Sequence, residues 1–136
     1  MKAVLVLALA LLIPDTMPLA VHVGGRVAAD GRFGWPGGYF EARFKGRDVT
    51  VKVETHSEPL RLLVDGEVRA TLAEAGVSEY TVSGLVEGEH LVRLEKVTES
   101  QSGGPRFLGF QTRGMALPWK PRARRNEFVG DSHSVG

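Results

Sequence analysis

A chain of 136 residues is long enough for one domain with a substantial core, but not for that domain and a complete catalytic α/β domain as well. Hydrophobic residues make up 43% of it and charged residues 24%, which are ordinary proportions for a globular protein. The formal net charge of +1 argues against a nucleic acid as partner, and the absence of cysteine excludes disulfides and thiol chemistry.

The N-terminus has the pattern of a signal peptide. Lys2 provides a short basic region, and Ala3 to Ile13 is an unbroken apolar run that is too short to anchor the chain in a bilayer. Pro14 interrupts the run, and Ala20 is a plausible cleavage residue. The sequence therefore predicts a signal peptide over residues 1–20, a secreted or periplasmic mature chain, and no membrane span after cleavage. The alternative for the apolar run is a buried N-terminal helix.

Two segments then alternate apolar with polar residues, as half-buried strands do: 40–45 and 49–54. The intervening turn, Gly46-Arg47-Asp48, predicts that the two strands form a hairpin. A second hairpin is predicted at Asp65-Gly66, a two-residue turn signal between residues 60–64 and 67–69.

Further strands are predicted around residues 80–82, 90–95 and 107–112, and no window from Val21 to Thr112 has convincing helical periodicity. Many short strands between glycine-rich turns indicate a sandwich or a barrel. At this length we favour an all-β fold, a jelly-roll-like antiparallel β-sandwich over residues 21–116. The expected core is Phe40, Phe44, Val51, Val53, Leu62, Val92, Leu94 and Phe110.

Residues 117–125 have the composition of a linker, in which two prolines bracket Trp119 and a basic run follows. Residues 126–136 would then begin a second domain. There a short apolar strand leads into Gly130-Asp131-Ser132, a turn that can present a serine hydroxyl at the start of a helix. Taken alone, this tripeptide is more often an ordinary surface turn.

An ordered set of motifs runs through the chain: Trp35-Pro36-Gly37, Phe40-Glu41-Ala42-Arg43-Phe44, Val64-Asp65-Gly66, Gly84-Leu85, Gly88-Glu89-His90, Val92-Arg93-Leu94, Lys96, Thr98-Glu99, Phe107-Leu108-Gly109-Phe110, Glu127-Phe128 and Gly130-Asp131-Ser132. In this order the motifs resemble those of carbohydrate esterase family 2. The resemblance implies an N-terminal jelly-roll domain followed by an α/β SGNH (GDSL-type) hydrolase domain. It also implies removal of acetyl groups from plant polysaccharides such as xylan and glucomannan.

Carried over by this resemblance, Ser132 is the candidate catalytic nucleophile, and its backbone N–H is one oxyanion donor. The family's other oxyanion donors and its histidine base with the usual aspartate lie beyond Gly136, so the chain is expected to be a fragment that is inactive alone. The sequence departs from the family at His133, where an aliphatic residue is usual.

The four histidines do not suggest another active site. His133 adjoins Ser132, and neighbours on a turn rarely align as nucleophile and base. His90 alternates with strand residues and is expected to be a hydrogen-bonded core or boundary residue, while His22 and His56 have no clustered partners in the sequence. We expect neither a metal nor a cofactor.

Two tryptophans are candidates for stacking on sugar rings. Trp35 is the candidate substrate-binding residue, although a hydrophobic plug at the end of the sandwich is the commoner role. For Trp119 the commoner role is a contact between domains. A second function therefore remains open beside the esterase fragment: an independent β-sandwich module that binds carbohydrate or a protein.

Overall fold

The computed structural model describes residues 16–34, 37–56, 58–98 and 104–120. The described chain consists of strands and loops, without a helix and hence without one that could cross a membrane. The ten strands are β1 (Met17–Pro18), β2 (His22–Gly24), β3 (Tyr39–Gly46), β4 (Val49–Thr55), β5 (Leu60–Val64), β6 (Glu67–Leu72), β7 (Gly76–Val82), β8 (Gly88–Lys96), β9 (Arg106–Thr112) and β10 (Met115–Leu117).

The strands form two antiparallel sheets. One has the order β1-β9-β4-β7, and the other has the order β10-β3-β8-β5-β6. Strand β2 also pairs with β3, along residues 39–41, next to the stretch that pairs with β10. Both sheets contribute side chains to one core, so the predicted jelly-roll-like β-sandwich is confirmed.

The core contains every residue that the alternation placed there. All eight expected core side chains are at most 2% exposed. Four phenylalanine rings pack in sequence between the sheets: Phe33 on Phe40 at 5.0 Å, Phe40 on Phe107 at 4.1 Å, and Phe107 on Phe110 at 4.8 Å between centroids. Such aromatic contacts join the two sheets across the sandwich.

The predicted hairpin between β3 and β4 is wrong. Gly46-Arg47-Asp48 carries the chain from the six-stranded sheet to the four-stranded sheet, where β4 pairs with β9 and β7. Asp48 holds this crossing in place, because its carbonyl accepts a hydrogen bond from Thr112 Oγ1 at 2.7 Å and its carboxylate accepts one from the Arg113 N–H at 3.0 Å. Alternation reports which face of a strand is buried but not which strand lies beside it.

The second predicted hairpin is confirmed. Strands β5 and β6 pair up to Val64 and Glu67, on either side of Asp65-Gly66. Asp65 has φ 53° and Gly66 has φ 83°, which are the two positive angles of a type I′ turn. The pairing of β5 with β6 could therefore be predicted from the two turn residues alone.

The described sandwich begins before the expected signal cleavage position. Strand β1 pairs with β9 at Thr112 and Gln111. Leu19 is 7% exposed, and its N–H donates to the Phe110 carbonyl at 3.0 Å. Cleavage after Ala20 would therefore remove one strand and one core side chain from this fold.

Candidate functional site

Two of the predicted site residues cannot be placed. Ser132, the candidate nucleophile, lies outside the described residues, and so does Trp35, the candidate sugar contact. Both assignments stay predictions. The proposed second-domain segment 126–136 and most of the linker, from Pro121 onward, lie outside the described ranges as well.

Trp119, the other tryptophan, lies on the outer face of the six-stranded sheet. Its ring stacks on His22 with 3.8 Å between centroids and 14° between planes. Its Nε1 lies 3.4 Å from Glu41 Oε2, a long hydrogen bond. One face of the indole is thus covered by a residue of β2, so that only the other face and the ring edges are left for a further contact.

Glu41 is the centre of this arrangement. Its side chain faces away from the core because its neighbours Phe40 and Ala42 point inward, yet the residue is only 4% exposed. Its cross-strand partner on β8 is Arg93, whose Nη1 lies 2.8 Å from Glu41 Oε1. A buried carboxylate needs such a partner, since an unpaired charge would be costly to bury.

The ion pairs continue across the sheet from Arg93. Arg93 Nε lies 2.9 Å from Glu95 Oε2, and Glu95 Oε1 in turn lies 2.6 Å from Arg61 Nη2 on β5. The guanidinium of Arg93 also lies over the ring of Tyr39, 3.9 Å from the centroid. We call Trp119, His22, Tyr39, Glu41 and Arg93 the Trp119 cluster.

The Trp119 cluster fixes the path of the chain as it leaves the sandwich. Strand β10 pairs with β3 up to Leu117 and Arg43, and two residues later Trp119 is held against β2 and β3. The polar side chains of the cluster are engaged with one another: Glu41 pairs with Arg93, and Arg93 lies over the ring of Tyr39. Its chemistry is that of a structural anchor, with one indole face left for a neighbour.

His90 is bonded at both ring nitrogens. Its Nδ1 lies 2.5 Å from Asp65 Oδ2 and its Nε2 lies 2.6 Å from the Val86 carbonyl oxygen. Burial alone would lower the pKa of His90. However, the hydrogen bonds to Asp65 and Val86 and the charges of Asp65 and Glu87 raise the pKa above its ordinary value of 6.5. The alternation predicted a hydrogen-bonded histidine in the core or at its boundary, and the half-buried His90 lies at the boundary.

The described residues offer no metal centre: within them, no group of three or more histidine, aspartate or glutamate side chains could hold an ion. Sequence reasoning missed the burial of Glu41 and the contact of His22 with Trp119. The only local sequence signal for the burial of Glu41 was its position in the middle of a strongly alternating strand. Its partners come from β2, β8 and the linker, far away in sequence.

Comparisons with known proteins agree on one family. The family model described as "Carbohydrate esterase 2 N-terminal" matches residues 23–121. A relative named acetylxylan esterase / glucomannan deacetylase, from Cellvibrio japonicus, is 41% identical over 134 residues, which cover 90% of this chain and 37% of that protein.

Solved structures extend the likeness to the fold. A family two carbohydrate esterase from Clostridium thermocellum, solved in complex with cellohexaose, superposes with a TM-score of 0.63 at 29% identity over 77% of this chain and 35% of that one. The CBM36-1 domain of a xylanase from a termite hindgut metagenome (Trinervitermes trinervoides) has a TM-score of 0.53 at 11% identity, covering 71% of this chain and 94% of that one, and shows the fold alone. The chain spans little more than a third of the two esterases.

Proposed function

The chain belongs to the carbohydrate esterase 2 N-terminal family, and we propose that it is the N-terminal part of a secreted or periplasmic enzyme that removes acetyl groups from plant polysaccharides such as xylan or glucomannan. The observation that carries this proposal is the match over residues 23–121, which runs through the sandwich from β2 to β10 and into the linker that precedes Gly130-Asp131-Ser132. The Cellvibrio japonicus relative, named for the same activities, supports it.

In this proposal the parts of the chain have separate tasks. Residues 1–20 carry the export signal, and the sandwich predicted over residues 21–116, which β1 extends back to Met17, is a scaffold. The linker over residues 117–125 leaves it at the Trp119 cluster, and residues 126–136 begin an SGNH hydrolase domain in which Ser132 is the nucleophile. Anchoring Trp119 supports this division, because it gives the linker one starting position and direction.

A chimera tests the proposal. Residues 16–136 would replace the corresponding segment of the Cellvibrio japonicus relative, whose remaining chain supplies the rest of the catalytic domain. We expect the chimera to release acetate from acetylated xylan and glucomannan. Ser132→Ala should lower kcat by about four orders of magnitude or more, because a nucleophile and its base act as a unit.

Ser134→Ala is the matched control, since it removes a hydroxyl two residues away. It should leave kcat within about threefold of that of the chimera. A folded chimera whose turnover survives Ser132→Ala would refute the assignment of the nucleophile. A folded chimera that cleaves neither polysaccharide nor p-nitrophenyl acetate would refute the proposed function.

Export is tested separately. Cell fractionation followed by intact-mass measurement should find a processed chain outside the cytoplasm, because the apolar run from Ala3 to Ile13 has the length and flanks of a signal sequence. Finding only the full-length chain in the cytosol would contradict the proposal.

A second function, an independent binding module, is favoured by the core of the sandwich. Among the described residues, fifteen apolar side chains from Leu19 to Phe110 are buried together between the two sheets, as in a domain that has its own core. Binding by the 136-residue polypeptide tests the module, because both roles predict that this polypeptide does not hydrolyse p-nitrophenyl acetate. As a module it would bind a polysaccharide or a protein, and its Ser132→Ala variant would bind with the same affinity.

A further inference from the structure

The sandwich is open along one edge. Strands β6 and β7 are the last strands of the two sheets on that edge and are joined by the short connection 73–75. Within the described residues, neither has a second neighbour, and nine of their thirteen residues are exposed. Between them runs a cleft, which we call the edge cleft, with two lobes of about 360 Å³ and 230 Å³.

Tyr80 stands where the two lobes meet, since it lines both of them. Its partner on β4 is Val51, whose side chain is 1% exposed in the core. Residues directly opposite each other on neighbouring strands point to the same face, so Tyr80 points into the gap between the sheets. There the strand is at the edge, and Tyr80 remains 39% exposed.

The lining around Tyr80 combines apolar and polar side chains. Ser78, two residues before Tyr80 on β7, faces the same gap, and Arg69, Ser83 and Glu74 also line the lobes. Thr71 and Thr81 border the lobes too, but their strand partners Arg61 and Thr50 lie on outer faces, so their hydroxyl groups point away from the gap. No ion pair joins Arg69 or Glu74 to another side chain among the described residues. The cleft therefore presents an aromatic ring beside a serine hydroxyl and side chains of both charge signs.

We propose that the edge cleft binds a neutral polysaccharide chain, with one pyranose ring against Tyr80. A pyranose has an apolar C–H face, which suits an aromatic ring, and a rim of hydroxyl groups that both donate and accept hydrogen bonds. Sites for small ligands combine an apolar contact with a few convergent polar groups in this way, and their volumes are about 300–1,000 Å³. The choice of a plant polysaccharide rests on the proposed function.

The shape of the cleft disfavours an added peptide strand. Both lobes are lined by residues of β6 and β7 together, so their occupant lies in the gap between the sheets. A strand that extends one sheet would instead lie beside a single edge and bond to its backbone. A second copy of the chain that pairs through β7 would also add a strand beside that edge. The experiment distinguishes such self-association from binding of a polysaccharide in the cleft.

The experiment measures binding by the 136-residue chain to xylohexaose, mannohexaose and cellohexaose, by calorimetry and by amide shifts in NMR. We expect a weak interaction with at least one of them, with a Kd of about 1 mM or below, and shifts centred on β6 and β7. Tyr80→Ala should raise Kd about tenfold, equivalent to about 1.4 kcal/mol. Tyr80→Phe keeps the ring and should stay within about threefold of the wild-type Kd.

Met115→Ala is the control, because it removes an apolar side chain that is 58% exposed on β10, at the opposite edge of the six-stranded sheet from β6. It should leave Kd unchanged. Three outcomes would overturn the proposal: no binding of any of the three oligosaccharides, binding that a folded Tyr80→Ala variant retains, or self-association of the chain that Tyr80→Ala abolishes.

This test is independent of the proposed activity. Hydrolysis of p-nitrophenyl acetate by the chimera involves no sugar, and Tyr80→Ala should leave it unchanged. If the chimera is active and the edge cleft does not bind, only the cleft proposal fails. If the cleft binds and the folded chimera is inactive, only the proposed esterase function fails.

Discussion

Trp119 lies flat on His22, with 3.8 Å between the ring centroids and 14° between the planes, although 97 residues separate them in sequence. The contact ties the segment that leaves the sandwich to one of its first strands. Because Trp119 also covers Glu41, it shields the buried pair that Glu41 forms with Arg93.

Trp119→Ala should therefore lower the free energy of unfolding by about 1–3 kcal/mol, less than the 3–5 kcal/mol of a fully buried tryptophan. Trp119→Phe, which keeps a ring on His22, should cost less than half as much. Urea unfolding followed by circular dichroism measures both. Equal stability of the alanine variant and the wild type would mean that the stack does not anchor the linker.

Phe44 tests the core that the alternation predicted. It is completely buried and packs beside the ring of His90 at 5.4 Å. Phe44→Ala should cost about 3–5 kcal/mol through the cavity that it leaves. Val77, which is 59% exposed, is the control, and Val77→Ala should change stability by less than about 0.5 kcal/mol. Similar losses in the two variants would contradict the assignment of faces.

The N-terminal strand offers a third prediction. A chain that begins at Thr16 keeps β1 and Leu19, whereas one that begins at Val21 loses both. We expect the shorter chain to be less stable by about 2–5 kcal/mol, the range for deleting a buried leucine side chain. Thermal unfolding of the two chains provides the comparison, and coincident curves would show that residues 16–20 contribute nothing to the fold.

The bonds of His90 make stability depend on pH. Because the folded state raises the pKa of His90, the fold favours the imidazolium, which can donate to both Asp65 and the Val86 carbonyl. This contribution is fully present below pH 6.5, the ordinary value, and is lost as the pH rises through the raised pKa of the folded state.

We therefore expect His90→Gln to destabilise the protein more at about pH 5.5 than at about pH 8.5. The free energy of unfolding of the variant is subtracted from that of the wild type at each pH. This subtraction removes the contributions of carboxylates that titrate in both proteins. His56→Gln, at an exposed histidine, is the control for the substitution itself. A larger effect of His90→Gln at the higher pH would give the wrong sign and refute the assignment.

Much of the site was beyond prediction from the sequence. The alternation around residues 40–44 correctly predicted that Phe40 and Phe44 point inward and that Glu41 points outward. It also implied that Glu41 is solvated, whereas the structure buries it beneath Trp119 and beside Arg93. The edge cleft could not be predicted from the sequence either, because the two strands that line it, β6 and β7, belong to different sheets.

The sequence by itself determined the properties that depend on neighbouring residues. These are the all-β class, the buried face of each main strand, the I′ turn at Asp65-Gly66, and the ordered motifs that indicate the family. The tertiary structure alone decided which strands pair and which surfaces meet. Gly46-Arg47-Asp48 therefore crosses between sheets instead of closing a hairpin, and His22 meets Trp119. The physical reason is that distant strands with the same alternation can pair in several ways. The stable arrangement is the one that buries the apolar faces of all strands in a single core.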